Sequence, residues 1–120
     1  MSIPSRVLGA GNSPMSTQAI SGTGAVGLVA LGTTIADALL LSADYNTLTT
    51  SSASTGVRLL PTEAGATVVI RNDSGVTVVV YPYSVASTIN AGASSLSLAT
   101  AKTAVFYATS ESTWVSITTA

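Results

Sequence analysis

The chain has 120 residues, a net charge of −1 and charged side chains at only 8 % of positions, against about a quarter in an ordinary soluble domain. Four scattered basic residues, Arg6, Arg58, Arg71 and Lys102, cannot neutralise a run of phosphates, which argues against nucleic acid as a partner. Cysteine and histidine are absent, so thiolate and imidazole are unavailable for metal binding, and the commonest general base is missing.

The length fits one domain with one core. Serine, threonine and alanine together make up nearly half of the chain. Charge repulsion keeps dispersed monomers apart, so a chain this neutral suits one copy among many in an assembly, in preference to the alternative of a secreted monomer solubilised by its serines and threonines.

In chain order, residues 1–24 read as an extended N-terminal arm. Pro4, Gly9, Gly11, Pro14, Gly22 and Gly24 interrupt any regular element there. Ile3, Val7 and Leu8 supply apolar anchors with Arg6 among them, and these four are the candidate partner contacts. The opening MSIPSRVLGAGNSP is too polar and too broken by proline for a secretory signal. The apolar stretch 25–41 carries Gly27, Gly32, Thr33, Thr34 and Asp37. A membrane helix needs about 20 mainly apolar residues, so no membrane span is expected.

From residue 25 to 120, β-branched and alternating segments recur at short intervals. The expected strands are Gly27–Leu31, Ala38–Leu41, Asn46–Thr50, Val57–Leu60, Thr67–Arg71, Val76–Tyr81, Ser95–Leu98, Thr103–Ala108 and Thr113–Thr118. Turn residues separate them, as in a β-sandwich or small barrel. Between Thr34 and Asp44 alanine and leucine would allow a helix, but a strand is favoured. The clearest hairpin signal is TVVIR–NDSG–VTVVVYP, where Asn72, Asp73 and Gly75 tolerate positive φ and Pro82 ends the ladder. Val68, Val69, Ile70 and Val78, Val79, Val80 make both faces of these strands apolar. They are therefore central strands, or are covered on one side by another chain. Near the C-terminus, Val105 and Tyr107 alternate with Phe106, and Trp114 and Ser116 alternate with Val115 and Ile117. One or two of these aromatics should anchor the core, in preference to forming an aromatic platform for a ligand.

Chemical motifs are few. Gly22-Thr23-Gly24-Ala25-Val26-Gly27 spells G-x-G-x-x-G, with Asp44 about 20 residues on. It lacks the preceding strand and following helix that give a dinucleotide fingerprint its physical content. Asn72-Asp73-Ser74 matches a glycosylation sequon, which the expected turn explains better. Asp37, Asp44, Glu63, Asp73 and Glu111 sit mostly beside turn residues, and no two form an evident acid/base pair. Lys102 offers a formal partner for a serine nucleophile, but nothing singles out that serine. No catalytic residue, cofactor or metal site is expected.

Several segments together carry a resemblance: Gly56–Pro61, Ala66–Asn72, Val78–Pro82, Ile89-Asn90, Leu96 and Leu98, Lys102–Phe106 and Trp114. Over roughly residues 30–118 the chain resembles small β-rich virion proteins of tailed bacteriophages, in particular capsid cement (decoration) proteins. The resemblance implies a subunit on the outside of a preformed icosahedral shell, commonly a homotrimer, that bridges neighbouring major capsid proteins. Its location would be the virion, after assembly in the host cytoplasm. No site residue carries over, because the matching positions are strand and turn positions. The alternative is a tail or fibre β-module that binds a host-surface glycan or another tail protein. The expected fold is all-β: a single antiparallel β-sandwich, jelly-roll-like or immunoglobulin-like, behind the extended arm.

Overall fold

The computed structural model describes residues 10, 11, 13 and 22–119. Among these there is no helix. Ten strands form: β1 (Gly24–Val29), β2 (Leu39–Leu40), β3 (Tyr45–Thr50), β4 (Gly56–Arg58), β5 (Thr67–Asn72), β6 (Val78–Tyr81), β7 (Thr88–Ile89), β8 (Leu96–Leu98), β9 (Lys102–Ala108) and β10 (Thr113–Thr118). They build a six-stranded sheet in the order β1-β3-β5-β9-β10-β7 and a four-stranded sheet in the order β2-β4-β6-β8.

The pairing corrects the expected antiparallel sandwich. In the larger sheet β1, β3 and β5 run parallel, and in the smaller one β2, β4 and β6 do the same. Each of three successive turns lays one strand in each sheet, and the next turn stacks on it. Antiparallel β8 and β9 then add to β6 and β5, so that the whole is a β-solenoid of about four turns in mixed sheets. Parallel neighbours need a long connection. Here that connection is the strand in the opposite sheet, which returns the chain every twenty or so residues.

The NDSG segment is accordingly a corner rather than a hairpin. β5 pairs with β3 and β9, whereas β6 pairs with β4 and β8. Asn72 makes the bend with a side chain that is 0 % exposed. Its Nδ2 donates to the carbonyls of Val76 (2.8 Å) and Leu98 (2.9 Å), and its Oδ1 accepts from the Ser74 amide (3.1 Å) and hydroxyl (2.6 Å). A buried amide with all these groups satisfied fixes the corner far more firmly than an exposed turn would. The same bond set leaves the sequon asparagine no free nitrogen at the surface.

The favoured strand between Thr34 and Asp44 shrinks to Leu39–Leu40. What precedes it is a tight corner closed by Asp37. One carboxylate oxygen accepts from the amides of Thr33 (3.1 Å) and Thr34 (2.8 Å) and from the Thr34 hydroxyl (2.8 Å). Gly32 enters that corner with φ +69°, and a Cβ there would collide with the Asp37 carboxylate.

The core lies between the two sheets. Leu48, Val68, Ile70, Ala104, Phe106 and Trp114 point inward from the larger sheet, and Val57, Val78, Val80 and Leu98 from the smaller one. Of the aromatics that the sequence offered as anchors, Phe106 and Trp114 are the two that are fully buried, while Tyr107 stays exposed. Each buried side chain contributes on the order of 1.5–3 kcal/mol by leaving water.

Candidate functional site

Strand alternation decides which residues face outward. In the larger sheet, each inward residue of β3, β5, β9 and β10 alternates with an outward one, and the register aligns the outward residues into rows. One row runs Tyr45, Val69, Val105, Ile117 across four strands. The row beside it runs Thr67, Tyr107, Val115. Residues opposite one another on a face lie about 4.5–5.5 Å apart between Cβ atoms, so these side chains form one continuous apolar surface. Ile117 is 63 % exposed, Tyr45 43 % and Tyr107 38 %.

A row of polar residues borders this surface: Thr47, Arg71, Thr103. Arg71 is held down by its neighbours. Its Nε pairs with Asp73 at 2.7 Å, and its NH1 donates to the Ala101 carbonyl at 3.0 Å. Neither apolar row contains a charged residue.

The free edge of the same sheet is less inviting. Among the described residues β1 has no neighbour beyond β3, but its register is broken twice, around Gly27 with φ +73°. A bulged, twisted edge presents a poor template for another strand.

A second feature lies against the smaller sheet. Tyr81 reaches past Gly56, where a Cβ would stand 2.6 Å from its ring, and its hydroxyl donates to the Thr33 carbonyl at 3.0 Å. The strand of β6 thereby grips the corner of the first turn. Beside Tyr81 in the register, Arg58 places its guanidinium 5.4 Å from the centre of the Tyr83 ring. A hydroxyl relay runs from the core toward the same region. Trp114 Nε1 donates to Thr62 Oγ1 at 2.9 Å, and that hydroxyl shares a hydrogen bond with Ser87 Oγ at 3.0 Å.

The remaining sequence motifs resolve into structure. The G-x-G-x-x-G segment enters and forms edge strand β1, and among the described residues no helix follows to receive a pyrophosphate. Asp44, at the spacing of a ribose-binding acid, instead accepts from the Thr23 amide at 3.0 Å. Among the described residues no three potential ligands gather as a metal site, and no helix is long and apolar enough to cross a membrane. Ile3, Arg6, Val7 and Leu8, the contacts chosen from the sequence, lie outside the described residues.

The apolar face was only half legible in the sequence. Two apolar sides on β5 signalled it, but the row unites residues more than seventy positions apart, and only the register brings Tyr45 to Val69 and Ile117 to Val105. No protein-family model, curated protein or solved structure matches this chain.

Proposed function

We propose that the protein is a non-enzymatic structural subunit whose larger sheet docks face-on in a multi-copy assembly. One observation carries this reading: the uncharged, register-aligned surface of Tyr45, Val69, Val105, Tyr107, Val115 and Ile117. Monomers seldom expose contiguous apolar patches beyond a few hundred Å² without a partner for them. Low overall charge points the same way, since it removes the repulsion that would keep copies apart. A capsid cement subunit, self-associated as a homotrimer and bound to a major capsid protein, is the particular form that the sequence resemblance suggests. The arm residues Ile3, Arg6, Val7 and Leu8 would then add contacts to the neighbour.

Sedimentation of the purified protein tests the reading. Association should grow with concentration and change little between about 0.05 and 0.5 M salt, because screening weakens only charged contacts. Ile117→Lys combined with Tyr107→Lys should give a monomer with an unchanged melting temperature, both residues being exposed. A wild-type protein that stays monomeric, or oligomers that dissolve on adding salt, would refute it.

A further inference from the structure

Between the corner of the first turn and the segment that follows β6 lies a cleft of about 340 Å³. That volume is within the range of small-molecule sites, roughly 300–1,000 Å³. Tyr81, Pro82 and Val85 form its apolar side, while Thr33, Ser87 and Ser94 bring hydroxyl-bearing residues to it. No charged residue lines it.

Two of these groups are fixed before any ligand arrives. Tyr81 is pinned between Gly56 and the Thr33 carbonyl. Ser87 is 5 % exposed and tied through Thr62 to the indole of Trp114, so the rigid core sets its position. A hydroxyl has one proton and two lone pairs, and its single bond to Thr62 leaves Ser87 capacity to spare. Val85, by contrast, is 87 % exposed at the rim and makes the cleft accessible.

The geometry points to a binding site for a neutral saccharide unit, of one or two pyranose rings. Sugar hydroxyls both donate and accept, as the serine and threonine hydroxyls do, so each can match the other without an ion. The carbon-bound hydrogens of a pyranose face suit an aromatic ring, whose face carries negative potential, and an adjoining proline. An anionic or cationic ligand would find no counter-charge in the lining and would lose hydration on entry. This site lies against the four-stranded sheet, apart from the docking face, and does not depend on that reading.

The test is a titration followed by backbone-amide NMR, using methyl glycosides of glucose, galactose, mannose, rhamnose and N-acetylglucosamine, with glucuronate and glucosamine as charged controls. At least one neutral glycoside should bind at about millimolar strength or tighter, with shifts centred on Thr33, Tyr81, Val85 and Ser87. Val85→Trp, a change at the exposed rim, should block it. Ser87→Ala should weaken it about five- to tenfold, the loss of one neutral hydrogen bond. The proposal fails if no neutral glycoside moves these resonances, if a charged control binds more tightly, or if the shifts survive Val85→Trp.

Discussion

Replacing Asn72 by alanine separates a solenoid corner from an ordinary hairpin loop. In the fold described, the change strips the Leu98 carbonyl and the Ser74 amide of side-chain partners in a region with no exposure at Asn72 itself. The Val76 carbonyl keeps a contact from the Ser74 hydroxyl at 3.2 Å. A buried group left without its hydrogen bond costs about 1–3 kcal/mol, and a small cavity adds to that, so a loss of roughly 3–5 kcal/mol is expected. Against a total of about 5–15 kcal/mol for a domain this size, that is a large fraction. Urea unfolding should show the midpoint falling by roughly 2 M at unchanged slope. Asn72→Asp should be worse than alanine at neutral pH, because an ionised carboxylate faces two carbonyl oxygens and can donate to neither. Acidification should narrow that gap. A loss below about 1 kcal/mol for alanine, the usual cost of an exposed turn residue, would refute the corner.

Three further outcomes follow from other parts of the molecule. Hydrogen bonds from Thr34, first from its amide and then its hydroxyl, hold the Asp37 carboxyl below its ordinary pKa of 3.8, with the Thr33 amide adding to them. A depressed folded-state pKa stabilises above the unfolded value and is lost on acidification. Wild type should therefore exceed Asp37→Asn in melting temperature at neutral pH, and the advantage should vanish as pH falls through the acid range below 3.8. Gly56→Ala should drive the Tyr81 ring away and break its bond to Thr33, costing about 1–3 kcal/mol, read as a shift in tyrosine fluorescence together with a lower urea midpoint. Under the proposed capsid-cement role, deleting residues 2–20 should leave the melting profile of the free domain unchanged while lowering its occupancy of empty capsid shells; full occupancy would remove the arm from that proposal.

How the sequence and the fold relate is clearest at β5 and β6. Alternation placed both strands within a residue or two, since inward Val68, Ile70, Val78 and Val80 keep a strict period of two. What local pattern could not tell was the partner of each strand. A four-residue turn-forming segment serves equally as a hairpin loop within one sheet or a corner between two sheets. The burial of Asn72 decides between them, and burial is a property of the whole fold. The apolar second face of β5 was the one available hint of parallel neighbours. The repeat itself stayed hidden because Gly24 aligns with Tyr45, and Tyr45 with Val69, at unequal spacings and with no shared residue type. β7 has only Thr88 and Ile89, too short to show any period. The outer apolar face is assembled by that stacking, so its signal along the chain was confined to the second apolar side of β5, and the cleft beside Tyr81 had none; that aromatics near the C-terminus anchor the core was readable, but not which of them.

Parallel stacking of successive turns is the claim on which the corner, the face and the cleft all rest, and inter-strand NMR contacts test it directly. Nuclear Overhauser effects should connect the backbones of Asn46 with Ile70 and Leu48 with Asn72 across β3 and β5, and Val57 with Val80 across β4 and β6. No ladder should join β5 to β6. Hairpin contacts between β5 and β6 across the NDSG segment, without those parallel ones, would contradict the account.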